Sequence, residues 1–169
     1  NTLYQARNLA NLPFVFKHVC LMPDAHTGYG MPIGGVMATD GVIVPNAVGV
    51  DIGCGMCAVK TDLKFTPSFQ KKLKNILGNI RVRIPVGFDH HDKAQDEALM
   101  PQNYDFEYMP VVEKEYKSAL KQLGTLGGGN HFIEIQKDKE NMIWVMIHSG
   151  SRNIGKQVAD HYNKIAKNL

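Results

Sequence analysis

The sequence predicts an α+β protein, with mixed β-sheets and flanking helices. Three observations carry that reading: short β-branched runs punctuated by glycine in the first third, amphipathic stretches at helical spacing between and after them, and two further strand-like runs before a closing helix. Residues 33 to 37 and 42 to 44 flank Asp40-Gly41, a pair suited to a tight hairpin turn, so the first third is expected to be β. Thr66-Pro67 has the form of an N-cap followed by N1, and Phe69, Leu73, Ile76 and Leu77 then recur at helical spacing until Gly78. Residues 80 to 84 (IRVRI) alternate as a strand would, and residues 89 to 106 have no usable period, which predicts a loop with some helical turn.

Val112, Tyr116, Ala119, Leu120 and Leu123 mark a second helix ended by Gly124, which leads into the glycine-rich segment GTLGGGNHF. Strands are expected at 131 to 136 and 142 to 147. From Gly155 onward Val158, Tyr162, Ile165 and Leu169 trace a third helix that meets no Gly, Asn or Pro stop signal before the last residue. Together with a first residue other than Met, this suggests a segment of something larger. There are no internal repeats or low-complexity tracts, so residues 1 to 169 are expected to form one portion of a single larger domain.

Composition narrows the classes. Apolar residues at 44% and charged residues at 21% match soluble globular proteins, which argues against disorder. No apolar run approaches the roughly 18 residues needed to cross a bilayer, and the N-terminus does not read as a signal peptide, so a cytoplasmic protein without a membrane partner is expected. A net charge of +3 permits phosphate binding but does not argue for nucleic acid. Three cysteines, Cys20, Cys54 and Cys57, are an odd number without export signals, which predicts reduced thiols.

Four polar clusters close apolar runs: PDAHTGYG (23 to 30), VDIGCGMC (50 to 57), GGGNHF (127 to 132) and HSGSR (148 to 152). Strand ends on a rigid sheet can aim such side chains into one site. They offer Asp24, His26, Asp51, Cys54, Asn130, His131, His148 and Arg152. A thiolate with two imidazoles suits a borderline transition metal, and an added carboxylate makes manganese acceptable. Gly53 lets the backbone fold tightly between Asp51 and Cys54, so that both can meet one ion. A thiolate can also bridge two ions, and a pair of metals can bind and polarise phosphate. Arg152, in a Ser/Gly-rich turn, suits a phosphate contact.

Plainer readings compete. Cys54-x-x-Cys57 is half of a structural zinc site, but no second pair of that spacing exists. Either histidine alone is more often a packed, hydrogen-bonded residue than a ligand. His26 is an outer-sphere candidate, while His18, His90, His91 and His161 suggest no role.

Taken together, MPDAHTGYGMPIGG, GVDIGCGM, GTLGGGNHFIEI and HSGSRNIG resemble the RtcB ligase family, in the family's order. The resemblance covers nearly the whole chain and is weakest between Phe88 and Met109. It implies an RtcB-like fold, incomplete at the C-terminus, and a ligase that joins RNA 3′-phosphate or 2′,3′-cyclic phosphate ends to 5′-hydroxyl ends, in tRNA splicing or RNA repair. Two Mn2+ ions and GTP are the implied cofactors, with a covalent histidine guanylate on the way. By the same resemblance Asp51, Cys54, His131 and His148 match metal ligands, with Cys54 bridging. Asn130, His131, Phe132, Ile133 and Glu134 match a guanine-nucleotide-contacting stretch. Asp24 and Arg152 match polar residues lining the catalytic site beside Cys54. A further histidine ligand and the guanylylated histidine have no match here, so this portion alone is expected to be inactive. The alternatives are a metal-dependent phosphoesterase and a non-catalytic metal-binding module; an activating protein partner is left open.

Overall fold

A computed structural model describes residues 1 to 169 except Asp51, Tyr104, Asn130 and Arg152. It is α+β, and it divides into two compact units: Asn1–Val50 with Ala159–Leu169, and Asp51–Val158.

The first unit opens with α1 (Thr2–Ala10), a helix absent from the β-rich reading of this region. Its Gln5 amide grips the backbone of Gly28 from both sides, Nε2 donating to the carbonyl at 2.7 Å and Oε1 accepting from the N–H at 3.1 Å. β1 (Val15–His26) pairs antiparallel with β2 (Ile33–Thr39), from Val15 opposite Thr39 to His26 opposite Ile33. Register shifts between Val15 and Val19 and between Leu21 and His26 break the ladder, and Lys17 sits at φ 65° inside the first. The Asp40-Gly41 turn does not join β2 to a strand at 42 to 44. Instead Thr39 Oγ1 donates to the Val42 carbonyl at 2.5 Å, and the chain enters the short helix α2 (Pro45–Val48) with proline at its first position. Three residues before a helix-starting proline leave no length for a strand.

In the second unit β3 (Gly55–Lys64), β4 (Phe132–Lys137) and β5 (Met142–Ser149) form an antiparallel sheet in the order β3-β5-β4. The last strand in sequence is therefore the central one. Its cross-strand neighbours are Met56 and Phe132 at His148, and Cys57 and Ile133 at Ile147. Since side chains alternate, Met56, His148, Phe132 and Glu134 share one face, while Cys57, Ile147 and Ile133 share the other.

α3 (Pro67–Arg83) starts where expected, with Thr66 Oγ1 accepting from the Phe69 N–H at 3.1 Å. It does not stop at Gly78, and residues 80 to 83 are helix rather than strand. Ile80 extends the stripe of Phe69, Leu73 and Ile76, whereas one interior glycine costs only about 1 kcal/mol. The end comes at Ile84, extended at φ −106°, ψ 106°, because Pro85 excludes helical geometry from the residue before it. Two 3-10 turns, Glu97–Leu99 and Phe106–Tyr108, interrupt the loop, each started by an aspartate that accepts a backbone N–H. α4 (Pro110–Gln122) ends before Gly124, whose φ is +72°. α5 (Ile154–Lys167) follows the sheet.

Few side chains are fully enclosed. Among the described residues Met100, Ala119, Ile143 and Ala159 are the buried apolar ones, alongside Pro32. No helix among the described residues is long and apolar enough to cross a membrane.

Candidate metal centre

Three of the expected ligands meet at one end of the β3-β5-β4 sheet. Cys54 immediately precedes β3, His131 immediately precedes β4, and His148 is the last residue but one of β5. Antiparallel pairing of the two outer strands with β5 brings their starts to the same sheet end as β5's finish. One donor atom from each of Cys54, His131 and His148 lies within 4.8 Å of the others. Cys54 Sγ stands 3.6 Å from His131 Nε2, and the two imidazoles meet edge to face with centroids 5.2 Å apart. Phe132 closes the other flank of His148 at 5.6 Å.

Local backbone fixes each ligand. Gly53 takes φ +96°, which turns the chain into β3. Behind that turn Gly155 packs so closely that a Cβ there would strike the Ile52 carbonyl and Ser151 Oγ, and its N–H donates to Ser151 Oγ at 2.9 Å. His131 is set by the triple glycine. Gly127, at φ +109°, leaves space that a Cβ would take from His131 Nδ1. The same segment is tied down from outside by Gly87 N–H donating to the Gly127 carbonyl at 3.2 Å and Leu126 N–H to the Pro85 carbonyl at 3.0 Å.

The donor set fits a transition metal. Thiolate and imidazole at about 2.3 and 2.1 Å from one ion, at a tetrahedral angle, stand about 3.6 Å apart, the separation of Cys54 Sγ from His131 Nε2. Cys54 is exposed and both histidines are half-buried, so a small ion or its exchangeable ligands can reach the cluster from solvent.

The remaining candidates divide. Asp51, Asn130 and Arg152 lie outside the described residues. Asp24 and His26 belong to the first unit, both exposed, with His26 Nδ1 3.2 Å from the Asp24 carbonyl oxygen. On β4, Phe132 and Glu134 share the face of His148, and Ile133 between them points to the opposite face. Cys57 lies on that opposite face too. What the sequence did not reveal is Met56 beside His148, and the pressing of Gly127 on His131. The first needs the register, although the Gly-Gly-Gly-Asn-His spacing was a usable signal for the second.

Fold and site thus define an α+β protein whose sheet end brings together a cysteine sulfur and two imidazoles, a set able to hold a metal ion. The chain belongs to the RtcB family: the family model described as tRNA-splicing ligase RtcB matches residues 5–107 and 97–169. It is 38% identical to the RNA-splicing ligase RtcB of Escherichia coli K12 over 96% of its length. Identity is 34% to the tRNA-splicing ligase RtcB of Thermococcus kodakarensis over 97% of the chain, and 35% to that of Pyrobaculum aerophilum over 95%. In each case the chain spans 43% of the relative's own length.

Proposed function

We propose that this chain supplies the metal platform of a GTP- and manganese-dependent RNA ligase, which joins RNA 3′-phosphate or 2′,3′-cyclic phosphate ends to 5′-hydroxyl ends. The observation that carries the reading is the meeting of Cys54, His131 and His148 from three separate motifs, within 4.8 Å, in a member of a splicing-ligase family.

In this reading Asp51, Cys54 and His131 would hold one Mn2+ and Cys54 with His148 a second. Bound there, the ions offset charge on phosphate oxygens and polarise phosphorus toward attack. The chain's own residues do the positioning. Gly127 and Gly155 keep His131 and the Cys54 turn in place, so the donors are set before a substrate arrives. In the same reading Phe132 and Glu134, on the face shared with His148, would stack on and accept hydrogen bonds from a guanine, with Asn130 as a further contact. Arg152, in its Ser/Gly-rich turn, would add a polar contact to the phosphates.

The test uses the whole protein with Mn2+ and GTP labelled at the α-phosphate. Label retained after denaturation, and joining of a 3′-phosphate RNA to a 5′-hydroxyl RNA, are expected, with both lost on chelation. Release of inorganic phosphate from the 3′ end without joining would replace this reading with a phosphoesterase.

A further inference from the structure

Between Asp62 and Asp89 the sequence contains no carboxylate, yet six cations fall there: Lys64, Lys71, Lys72, Lys74, Arg81 and Arg83. Thirteen of the 19 basic residues are left to face all 16 acidic ones. The positive balance of the chain therefore resides in this one segment. Five of the six are on α3 and all five are exposed. Among the described residues none of them forms an ion pair; the salt bridges present there belong to Lys60.

This distribution works against the helix itself. Lys71, Lys72 and Lys74 crowd its first half, where the backbone dipole is positive, and no acidic residue in the first turn compensates them. At 3.6 residues per turn, Lys71, Lys74 and Arg81 form one stripe, with spacings of roughly 4.5 and 10.5 Å along the axis. Lys72 and Arg83 flank the solvent side on its other edge, with Asn75 and Asn79 between the two rows. The apolar residues Phe69, Leu73, Ile76 and Ile80 are half-buried on the opposite side.

We propose that the exposed face of α3 docks the sugar-phosphate backbone of RNA, holding the strand whose end is processed; this rests on the ligase reading above. Two rows of cations separated by amides match a polyanion that also offers hydroxyl groups and phosphate oxygens. An anionic bilayer fits less well, since a helix that binds one also needs several bulky apolar residues to insert, and the exposed part of α3 offers Val82 with Leu77 at its margin.

The experiment measures binding of a 20-nucleotide single-stranded RNA ending in a 3′-phosphate to the whole protein, across about 50 to 200 mM salt. Three forms are compared: wild type, the triple variant Lys71→Gln, Lys74→Gln, Arg81→Gln, and a control triple variant on α4, Lys114→Gln, Lys117→Gln, Lys121→Gln. Loss of three contacts should lower the slope of log affinity against log salt by about two and raise Kd roughly tenfold or more at the lower salt. The control should keep the wild-type slope, and Arg in place of Gln at the three α3 positions should recover it. Labelling with GTP in the absence of RNA should be unchanged in both variants, which also shows that they are folded. An unchanged slope in the α3 variant, or an equal change in the control, overturns the proposal while leaving the ligase reading intact. Selective loss of binding to vesicles containing phosphatidylserine, with RNA affinity retained, overturns it in favour of a membrane. A wild-type protein that neither binds RNA nor takes label overturns both.

Discussion

Cys54 and Cys57 are three positions apart, and one β-strand register separates their roles. Cys54 stands 3.6 Å from His131 Nε2 at the sheet end, while Cys57 lies opposite Ile147 on the other face. If the ligase reading holds, Cys54→Ser is expected to weaken Mn2+ binding by more than the 10- to 100-fold typical of an outer-sphere change, since a hydroxyl would replace a thiolate ligand; Cys57→Ser should leave it nearly unaltered. Metal titration of the two variants decides it, and equal losses would restore the Cys-x-x-Cys reading. A second contrast lies in the glycine-rich turn. Gly127 and Gly129 both hold positive φ, +109° and +94°, so alanine at either is strained by about 1 to 2 kcal/mol. Only at Gly127 does the added methyl press on His131, whereas at Gly129 no described residue beyond its chain neighbours lies within 4 Å of it. Gly127→Ala should therefore lower metal affinity as well as stability, and Gly129→Ala stability alone. Comparable metal affinities in the two would remove Gly127 from the list of positioning residues. The motifs offered a thiol and imidazoles, and strand order is what brings Cys54, His131 and His148 together.

At the scale of elements, α3 offers two substitutions of opposite sign. Thr66→Ala removes the side-chain oxygen that accepts from the Phe69 N–H and should cost about 1 kcal/mol. Gly78→Ala places a methyl in open space at mid-helix and should gain about 0.5 to 1 kcal/mol. Urea unfolding of both variants measures the pair, and a destabilised Gly78→Ala would show that the surface there is covered. The β4-β5 hairpin carries a pH-dependent contribution. Asp138 accepts from Trp144 Nε1 at 3.0 Å and from the Met142 and Glu140 N–H groups at 2.8 and 2.9 Å. Those bonds, the indole first and the Met142 amide next, hold its pKa below the usual 3.8, with Lys60 adding attraction and desolvation opposing. Because the folded value is depressed, the stabilisation is fully present above pH 3.8 and is lost as pH falls through the lower folded value. Asp138→Asn should flatten the acid limb of a stability curve. Trp144, the one tryptophan, reports the hairpin by fluorescence. The same helix and hairpin show where sequence patterns were legible. The Thr66-Pro67 start was readable from local chemistry, but the end of α3 was misplaced because Arg81-Val82-Arg83 alternates like a strand while also continuing a helical face.

At the scale of the molecule, a small set of enclosed side chains contrasts with large apolar residues left in solvent, among them Phe88 at 100%, Val82 at 87% and Tyr29 at 84% exposure. Taken by itself, the 169-residue chain is expected to self-associate or to bind a hydrophobic dye strongly, as light scattering and dye fluorescence would show; a monodisperse monomer that excludes dye would contradict it. In the ligase reading it should also take up Mn2+ through its own ligands yet acquire no stable label from GTP, since it contains no match to the guanylylated histidine. The sequence by itself determined the α+β class, the start of α3, the end of α4 and the family, because these rest on local periodicity, capping chemistry and short motifs. Only the tertiary structure decided that β5 is central, that Cys54 and Cys57 fall on opposite faces, and that His131 and His148 sit edge to face beside one thiolate. Those facts depend on which strands pair and in what register, and hydrogen-bonded pairing between segments nearly a hundred residues apart leaves no periodic mark in either segment alone.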